Sequence, residues 1–211
     1  MSKFISLLST GLDSPVAAYL MLMKKYNPIF LSFLTSFDHN LEMKQAIIQI
    51  VKVLSKFSKV KPKIYFITHY LNLNQIKLLC ERKLTCILCK RLMIRIAMCI
   101  GELEKTNMIV TGDILGEQAS QTLDNIYSYN DLVQGHIIIR PLIGWNKLDV
   151  IDLNKKLGLY DIVSKLSISC HYNPQYPETH AKLKEIQDNE FKINISDILK
   201  QSIKSAELFK L

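Results

Sequence analysis

The sequence has no hydrophobic run that reaches the roughly 18 residues needed to cross a lipid bilayer. No signal peptide is expected either, because only residues 1–3 precede the first strand-like segment and they contain no apolar stretch. Internal repeats and low-complexity segments are also absent. These absences exclude integral membrane and solenoid classes, and they predict a cytoplasmic protein with no membrane partner.

The sequence also lacks the cysteine pattern of a disulfide framework. Five cysteines are an odd number, and in a cytoplasmic chain they indicate thiol or metal chemistry rather than structural bridges. Two of them, Cys80 and Cys99, lie on apolar helical faces and are predicted to be core thiols. A hydrophobic content of 48% argues against disorder, and 211 residues are enough for one domain with a small appendage.

Strand-like and helical segments alternate along most of the chain. The segments predicted to be strands are residues 4–8, 28–34, 63–67, 108–112 and 137–141. A helix is predicted over residues 147–157, ending at Gly158. Such alternation is typical of an α/β fold with a doubly wound, parallel, five-stranded sheet. We predict a main domain over residues 1–175 and a C-terminal helical extension over residues 176–211.

Polar motifs follow three of the predicted strands. They read STGLDS after the first strand, TGDILGEQASQT after the fourth and RPLIGWNK after the fifth. In a parallel sheet the carboxyl ends of the strands form one edge, and ligands bind where those ends lead into the helices. The three motifs together therefore favour one shared binding site over three unrelated polar loops.

The first of these motifs leads directly into an amphipathic helix. Ser14 or Asp13 is predicted to be the N-cap, and Pro15 suits the first helical turn because its missing N–H would have no partner there. The free N–H groups and the dipole at a helix N-terminus favour an anion, and small residues let a phosphate approach the backbone. On its own, this segment is equally consistent with an ordinary capped strand-to-helix turn.

STGLDS resembles the SGGxDS pyrophosphate loop of the PP-loop ATPases, which cleave ATP between the α and β phosphates. The wider pattern is similar to that of the tRNA 4-thiouridine synthetases, or tRNA sulfurtransferases, over residues 4–175. The matching segments are LLSTGLDSPVAAYLM, CILCKRLMIRIA, TGDILGEQASQTLDN, RPLIGWNKLDVIDLNKKLG and SCH at residues 169–171. The resemblance implies a fold of the PP-loop (adenine nucleotide alpha hydrolase-like) type, with residues 1–175 as the ATP pyrophosphatase domain.

The same resemblance implies roles for residues of the polar motifs. The residues expected to contact ATP are Ser9, Thr10, Gly11, Asp13, Ser14, Gly112, Gln121 and Thr122. Asp13 would orient Mg²⁺ beside the leaving pyrophosphate. Lys147 would steady negative charge during adenylyl transfer, although a solvated lysine at a helix N-terminus is the alternative. Thr10 stands where the family loop normally has glycine, so its hydroxyl either crowds the phosphate or adds a donor.

Three cysteines form a second candidate site. Cys86 and Cys89 form a CxxC motif just before a predicted helix, whose dipole is expected to lower the thiol pKa values. The resemblance makes Cys170 either a catalytic, persulfide-bearing cysteine or the third ligand of a [4Fe–4S] cluster with one open iron. We favour the cluster. A zinc site completed by His171 is the rival, and reduced free thiols are the third option.

These features together predict an ATP-dependent sulfurtransferase. The reaction implied by the resemblance adenylates a carbonyl oxygen, most specifically O4 of a tRNA uridine, and replaces it with sulfur, releasing AMP and pyrophosphate. One alternative is a PP-loop ATPase that thiolates a small molecule. The other is a non-catalytic subunit that binds a nucleotide or a metal.

The expected partners are tRNA and a sulfur donor, with a homodimer left open. Full-length family members carry upstream RNA-binding domains, including a THUMP domain, and some carry a C-terminal rhodanese domain; neither is found in this sequence. RNA would then bind to the basic segment at residues 77–95, or to a separate THUMP-type protein. Residues 42–63 are also basic, but lysine-rich helix faces are usually solvated.

Overall fold

The computed structural model describes residues 2–165 and 170–211. Within these ranges the chain forms one six-stranded sheet with helices on both faces. The strands are β1 (Lys3–Leu7), β2 (Asn27–Leu34), β3 (Lys63–Thr68), β4 (Met108–Val110), β5 (Ile137–Ile139) and β6 (Glu207–Lys210). The α-helices are α1 (Asp13–Met23), α2 (Asn40–Ser55), α3 (Tyr70–Leu79), α4 (Thr85–Glu104), α5 (Leu123–Tyr127), α6 (Lys147–Leu157), α7 (Tyr160–Lys165), α8 (Leu183–Glu190) and α9 (Ile195–Lys204).

Five parallel strands form the body of the sheet, as the sequence predicts. The strand order is β5-β4-β1-β2-β3-β6, so β1 lies where the chain changes direction across the sheet. The sheet differs from the prediction at its edge, because β6 adds a sixth strand that pairs antiparallel with β3. The sequence of β6, ELFK, does not alternate between polar and apolar residues, and all four side chains are exposed. The sequence therefore has no local pattern that predicts this strand.

Both faces of the sheet are covered because successive strand side chains point to opposite faces. Along β1, Ile5 and Leu7 pack into the core on one face, while Phe4 packs on the other. The first core includes side chains of α3, α4, α8 and α9, and the opposite face is covered by α1, α2, α6 and α7. This is the doubly wound arrangement that the sequence predicts.

The C-terminal residues pack onto the rest of the molecule. Helix α9 lies against α4, and β6 extends the sheet. Arg91 of α4 is fully buried, and its Nε and Nη2 atoms each donate to Glu190 of α8 at 2.9 Å. A buried guanidinium requires such partners. The division at residue 175 stays a prediction, and the two parts that it separates share these buried contacts.

The end of α6 follows the prediction. Gly158 has a left-handed conformation with φ of 70°, and its N–H donates to the Lys155 carbonyl at 3.1 Å, as in a glycine C-cap. Among the residues that the structure describes, no helix combines the length and the apolar character needed to span a membrane.

Candidate active site

A cavity of about 600 Å³ opens at the carboxyl edge of the sheet, beside the loops that follow β1 and β4. Ligands usually bind at this edge where the strand order changes direction. Most of the residues predicted to contact a nucleotide line the cavity, namely Ser9, Thr10, Gly11, Asp13, Ser14, Gly112 and Gln121. The cavity also has lining residues that were not predicted, among them Phe33, Lys90, Met93, Asp113 and Tyr160.

The loop between β1 and α1 is closed by its own serines. The Ser9 N–H donates to Ser14 Oγ at 2.8 Å, and the two hydroxyl oxygens lie 3.0 Å apart. Leu12 occupies the N-cap position without a side-chain bond, so the prediction that Asp13 or Ser14 caps α1 is wrong. The Ser14 hydroxyl closes the loop instead. The first turn of α1 is thus free of a side-chain cap, which suits an anion site.

Asp13 and Lys147 form an ion pair beside this loop. The Lys147 Nζ atom lies 2.5 Å from Asp13 Oδ1. Asp13 is the first residue of α1 and Lys147 is the first residue of α6, so the pair joins the starts of two helices. Both side chains remain partly exposed, at 15% and 33%. Lys147 is therefore held next to the predicted phosphate loop and is not a freely solvated lysine.

Gly112 lets the loop after β4 approach the first turn of α1. A Cβ atom at this position would lie 2.7 Å from the Ser14 nitrogen and 2.9 Å from the Asp13 carbonyl carbon. These contacts are with backbone atoms, so the turn itself would have to move. The geometry gives Gly112 a packing role, and its direct contact with ATP stays a prediction.

Asp113 is a buried carboxylate on the cavity wall that is absent from the predicted site. The Lys90 Nζ donates to Oδ1 and the Thr111 hydroxyl donates to Oδ2, both at 2.7 Å. Burial alone would raise the pKa of Asp113, but Lys90, Thr111 and Arg140 outweigh it and hold the pKa below its usual value. No local sequence signal links Lys90 to Asp113, because the two residues are 23 positions apart and meet only when α4 packs beside the loop after β4.

The two predicted residues of the SQT segment have different surroundings. Gln121 lines the cavity, and its Nε2 donates to Asp113 Oδ1 at 3.5 Å. Thr122 is the N-cap of α5: its hydroxyl oxygen accepts from the Asn125 N–H at 3.4 Å, and the hydroxyl donates to the Thr179 carbonyl at 2.6 Å. Thr122 does not line the cavity, so the structure does not bring it together with the other predicted residues.

The CxxC motif lies inside α4 rather than before it. Cys86 and Cys89 occupy the first two turns of the helix, which begins at Thr85. Both side chains are half-buried. Of the two cysteines predicted to be core thiols, Cys80 is buried and Cys99 is half-buried.

Tyr172 anchors the segment that carries Cys170 against the same region. The Tyr172 hydroxyl donates to Asn74 Oδ1 at 2.8 Å, and its carbonyl accepts from Arg82 Nη2 at 3.2 Å. Arg82 lies in the turn just before α4. These bonds bring Cys170 to the start of the helix that carries the CxxC motif.

Burial, and not the helix dipole, dominates the pKa values of the Cys86 and Cys89 thiols. Burial raises the pKa of Cys86 and the nearby Cys170 raises it further, while Arg82 lowers it. Burial also raises the pKa of Cys89 well above its ordinary value, with Cys170 and Cys86 adding to the effect. The prediction of lowered pKa values is therefore wrong. The Cys86 Sγ atom lies 3.8 Å from Asn173 Oδ1, so the segment that carries Cys170 lies beside the CxxC motif.

Neighbouring thiols do not by themselves make a metal centre. Over residues 2–165 and 170–211, no three His, Cys, Asp or Glu side chains are arranged to hold a metal ion. Thiolates suit an iron–sulfur cluster or zinc, but the three cysteines are not preassembled for either. Ser169 of the SCH segment lies outside the described residues, and His171 is exposed. The cluster, the zinc site and the free thiols all stay predictions.

The basic segment at residues 77–95 is largely neutralised by acids from other parts of the chain. Four of its side chains form ion pairs: Lys83 with Glu178 and Glu185, Lys90 with Asp113, Arg91 with Asp131 and Glu190, and Arg95 with Glu190. Counting the charges of residues 77–95 alone omits the acidic residues that folding places beside them. The segment therefore offers an RNA backbone fewer unpaired cations than its composition indicates.

Comparison with known proteins identifies the family. Residues 1–195 match the family model described as Thiamine biosynthesis protein (ThiI). The chain belongs to the ThiI family. A protein of Methanosarcina mazei named probable tRNA sulfurtransferase is 36% identical to it over 211 residues, which cover 99% of this chain and 52% of that protein. A Methanocaldococcus jannaschii protein of the same name is 31% identical, with 92% and 50% covered. This ThiI-family chain thus spans about half the length of the curated relatives it matches.

Solved structures confirm the predicted fold. The crystal structure of a 4-thiouridine synthetase–RNA complex with bound ATP matches with a TM-score of 0.92 and 25% identity, covering 100% of this chain and 55% of that one. NMN synthetase from Francisella tularensis matches with a TM-score of 0.55 and 17% identity, which indicates a shared fold alone. The ThiI-family chain therefore has the PP-loop type of α/β fold.

Proposed function

We propose that this chain is the catalytic part of an ATP-dependent tRNA sulfurtransferase. In the proposed reaction, O4 of a tRNA uridine attacks the α-phosphorus of ATP, and pyrophosphate leaves. A sulfur nucleophile then adds to C4 of the base, and AMP leaves with the original oxygen. The names of the curated relatives and the solved 4-thiouridine synthetase with RNA and ATP support this assignment.

The observation that carries the proposal is the serine-closed loop at the start of α1 with the Asp13–Lys147 pair beside it. The backbone N–H groups and dipole of α1 would bind phosphate oxygens. Lys147 would stabilise the negative charge that develops during adenylyl transfer. Asp13 fits a magnesium site, because one carboxylate with phosphate oxygens and water is a common ligand set for Mg²⁺, which neutralises pyrophosphate as it leaves.

For the sulfur step we assign Cys86, Cys89 and Cys170. Cys170 would present the incoming sulfur as a persulfide, or all three thiolates would hold a [4Fe–4S] cluster, with zinc as the rival metal. Each Cys→Ala variant should lose tRNA thiolation and keep ATP binding. Iron, acid-labile sulfide and zinc analysis after anaerobic purification separates the three options, and iron content that falls in each variant supports the cluster.

We propose that an RNA-binding part outside this chain, of the THUMP type, supplies most of the contacts to tRNA. The ion pairs within residues 77–95 support this proposal, because they occupy cations that RNA would otherwise contact. A persulfide on Cys170 would require a separate protein that transfers sulfane sulfur to it, whereas a cluster with an open iron could bind sulfide. The cytoplasm is the proposed location. A homodimer is the remaining proposal, tested by sedimentation analysis.

ATP–pyrophosphate exchange tests the proposed function against its alternatives. Exchange that depends on tRNA supports tRNA thiolation. If exchange depends on a small molecule and not on RNA, that molecule and not tRNA would be the substrate. Tight ATP binding without exchange under either condition would make the chain a non-catalytic subunit.

A further inference from the structure

His69 is a fully buried histidine to which the proposed reaction assigns no role. It occupies the N-cap position of α3 directly after β3, and its backbone N–H donates to the Leu34 carbonyl at 2.9 Å. The ring packs edge-on against Phe33, with centroids 5.0 Å apart. A buried neutral imidazole needs a partner for each ring nitrogen.

The two ring nitrogens have different partners. The Asn72 Nδ2 atom lies 3.2 Å from Nδ1, and the Cys89 Sγ atom lies 3.4 Å from Nε2. An amide nitrogen can only donate, and Asn72 Nδ2 also donates to Ser202 Oγ at 3.1 Å. Nδ1 therefore accepts a hydrogen bond from Asn72. The single ring proton consequently resides on Nε2 and is directed at the sulfur.

We propose that His69 is a positioning residue for the sulfur site and donates an Nε2–H hydrogen bond to the sulfur of Cys89. Such a bond fixes the direction of Cys89 Sγ relative to Cys86 and Cys170. The inference rests on the proposed function in one respect, namely that Cys89 takes part in the sulfur step.

The contacts behind His69 connect the sulfur site to the C-terminal part of the chain. Asn72 and Ser202 are only 7% and 4% exposed, so the chain of polar contacts from Ser202 to Cys89 runs through the interior. It links α9, α3 and α4 in that order. An aliphatic side chain at position 69 would fill the interior without burying a polar group that needs a hydrogen-bond partner. Histidine at this position instead extends the polar contacts to the sulfur atom of Cys89.

The location of the ring proton tests this inference directly. In protein labelled with ¹⁵N-histidine, long-range ¹H–¹⁵N correlation spectra distinguish a protonated Nε2 from a protonated Nδ1. The His69 signals are identified by their loss in the His69→Gln variant. We expect the Nε2–H tautomer. A proton on Nδ1 would overturn the proposal, whatever the activity of the protein.

Two variants at position 69 test the consequence for the sulfur step. His69→Phe keeps a ring but removes the donor, whereas His69→Gln keeps a donor nitrogen near the position of Nε2. We expect thiolation to fall about tenfold or more in His69→Phe and to recover largely in His69→Gln, with ATP–pyrophosphate exchange changed by less than about twofold. His136→Phe, at a half-buried histidine that contacts the Gln134 carbonyl, serves as the control.

Equal thiolation by the two folded variants would contradict the donor role. Circular dichroism checks that both variants are folded. If the wild-type protein catalyses exchange without thiolating tRNA, the proposed function fails. The tautomer measurement still decides the inference about His69 in that case, so the two failures are distinguishable.

Discussion

At the scale of single residues, the surroundings built by folding decide which side chains carry charge. Burial raises the pKa of Cys89 and lowers that of His69, because each charged form loses solvation. Burial also disfavours the charged form of Asp113, but there the cations and a hydroxyl outweigh it. Burial thus favours the neutral forms of the Cys89 thiol and the His69 ring, whereas Asp113, in the loop after β4, is held as a carboxylate.

Asp13→Ala tests the phosphate-loop assignment at this scale. We expect pyrophosphate exchange to fall by about 100-fold or more, because the variant loses the carboxylate that pairs with Lys147 and that we propose as a ligand of Mg²⁺. Stability should change by less than about 1 kcal/mol, since the ion pair is partly exposed. Exchange assays and urea denaturation measure the two effects. Asp152→Ala, at an exposed position on α6, is the control. Near-normal exchange in the folded variant would contradict the assignment.

Glu104 provides a test of pH dependence. Its carboxylate accepts from Lys63 at 2.8 and 2.9 Å and from the Tyr65 hydroxyl at 2.7 Å. Burial alone would raise the pKa of Glu104, but these bonds lower it below the ordinary glutamate value. Because the folded-state pKa is the lower one, the carboxylate stabilises the fold above the ordinary pKa. That contribution is lost as the pH falls through the lowered value.

We therefore expect Glu104→Gln to lower the free energy of unfolding by about 2 kcal/mol at about pH 7 and by progressively less as the pH falls below the ordinary glutamate pKa. Urea denaturation over this range of pH measures the difference. Glu102→Gln, an exposed position on the same helix, should have little effect at any pH in this range. A loss that is equally large at low pH would show that the ionised carboxylate is not the stabilising species.

At the scale of elements, the active site depends on how closely two loops approach. Gly112 brings the loop after β4 against the first turn of α1, and the Asp13–Lys147 pair ties that turn to α6. The same edge of the sheet places His69 at the start of α3. The start of α1 therefore lines the cavity, and the start of α6 is joined to it by the ion pair.

Gly112→Ala should disturb this approach. The added Cβ would lie 2.7 Å from the Ser14 nitrogen, so the first turn of α1 must shift. We expect ATP affinity to fall about tenfold or more and the free energy of unfolding to fall by about 1–3 kcal/mol. Calorimetric titration with ATP and denaturation measure these changes. Gly144→Ala has open space around the new Cβ and should change neither quantity. Unchanged ATP affinity in Gly112→Ala would mean that the turn tolerates the shift.

At the scale of the whole molecule, a buried ion network joins the C-terminal helix α8 to α4. Arg91 donates to Asp131 at 2.7 and 2.9 Å and to both carboxylate oxygens of Glu190. Glu190 lies beyond the predicted division at residue 175, yet Arg91 belongs to the helix of the CxxC motif. Residues 176–211 therefore contact the helix that carries the CxxC motif.

Arg91→Met tests how strongly these parts are joined. Removing the guanidinium leaves Asp131 and Glu190 without their cation, so we expect a loss of about 3–5 kcal/mol in the free energy of unfolding. Chemical denaturation followed by circular dichroism measures it. Lys155→Met, at an exposed ion pair, should cost less than about 1 kcal/mol. A cost for Arg91→Met as small as that of the control would contradict a structural role for the network.

The sequence by itself determined the five parallel strands and the loops that carry the nucleotide site. Each of those strands is a short apolar run, which is a local signal, and parallel pairing then brings their carboxyl ends to one edge. For this reason Ser9, Asp13, Gly112 and Gln121 could be predicted to share a cavity, and they line one. Gly158 could be predicted as a helix end because glycine readily adopts the left-handed conformation that often ends a helix.

Only the tertiary structure decided the features that depend on partners far away in the chain. The edge strand β6 pairs with β3 through backbone hydrogen bonds, and no pattern of side chains along the sequence predicts this pairing. The pKa values at the CxxC motif follow burial by other segments, and this burial outweighs the local helix dipole from which they were predicted. Lys90 contacts Asp113, and His69 contacts Cys89, across separate elements of the fold. These contacts form only when separate elements pack, so composition and spacing along the chain do not contain them.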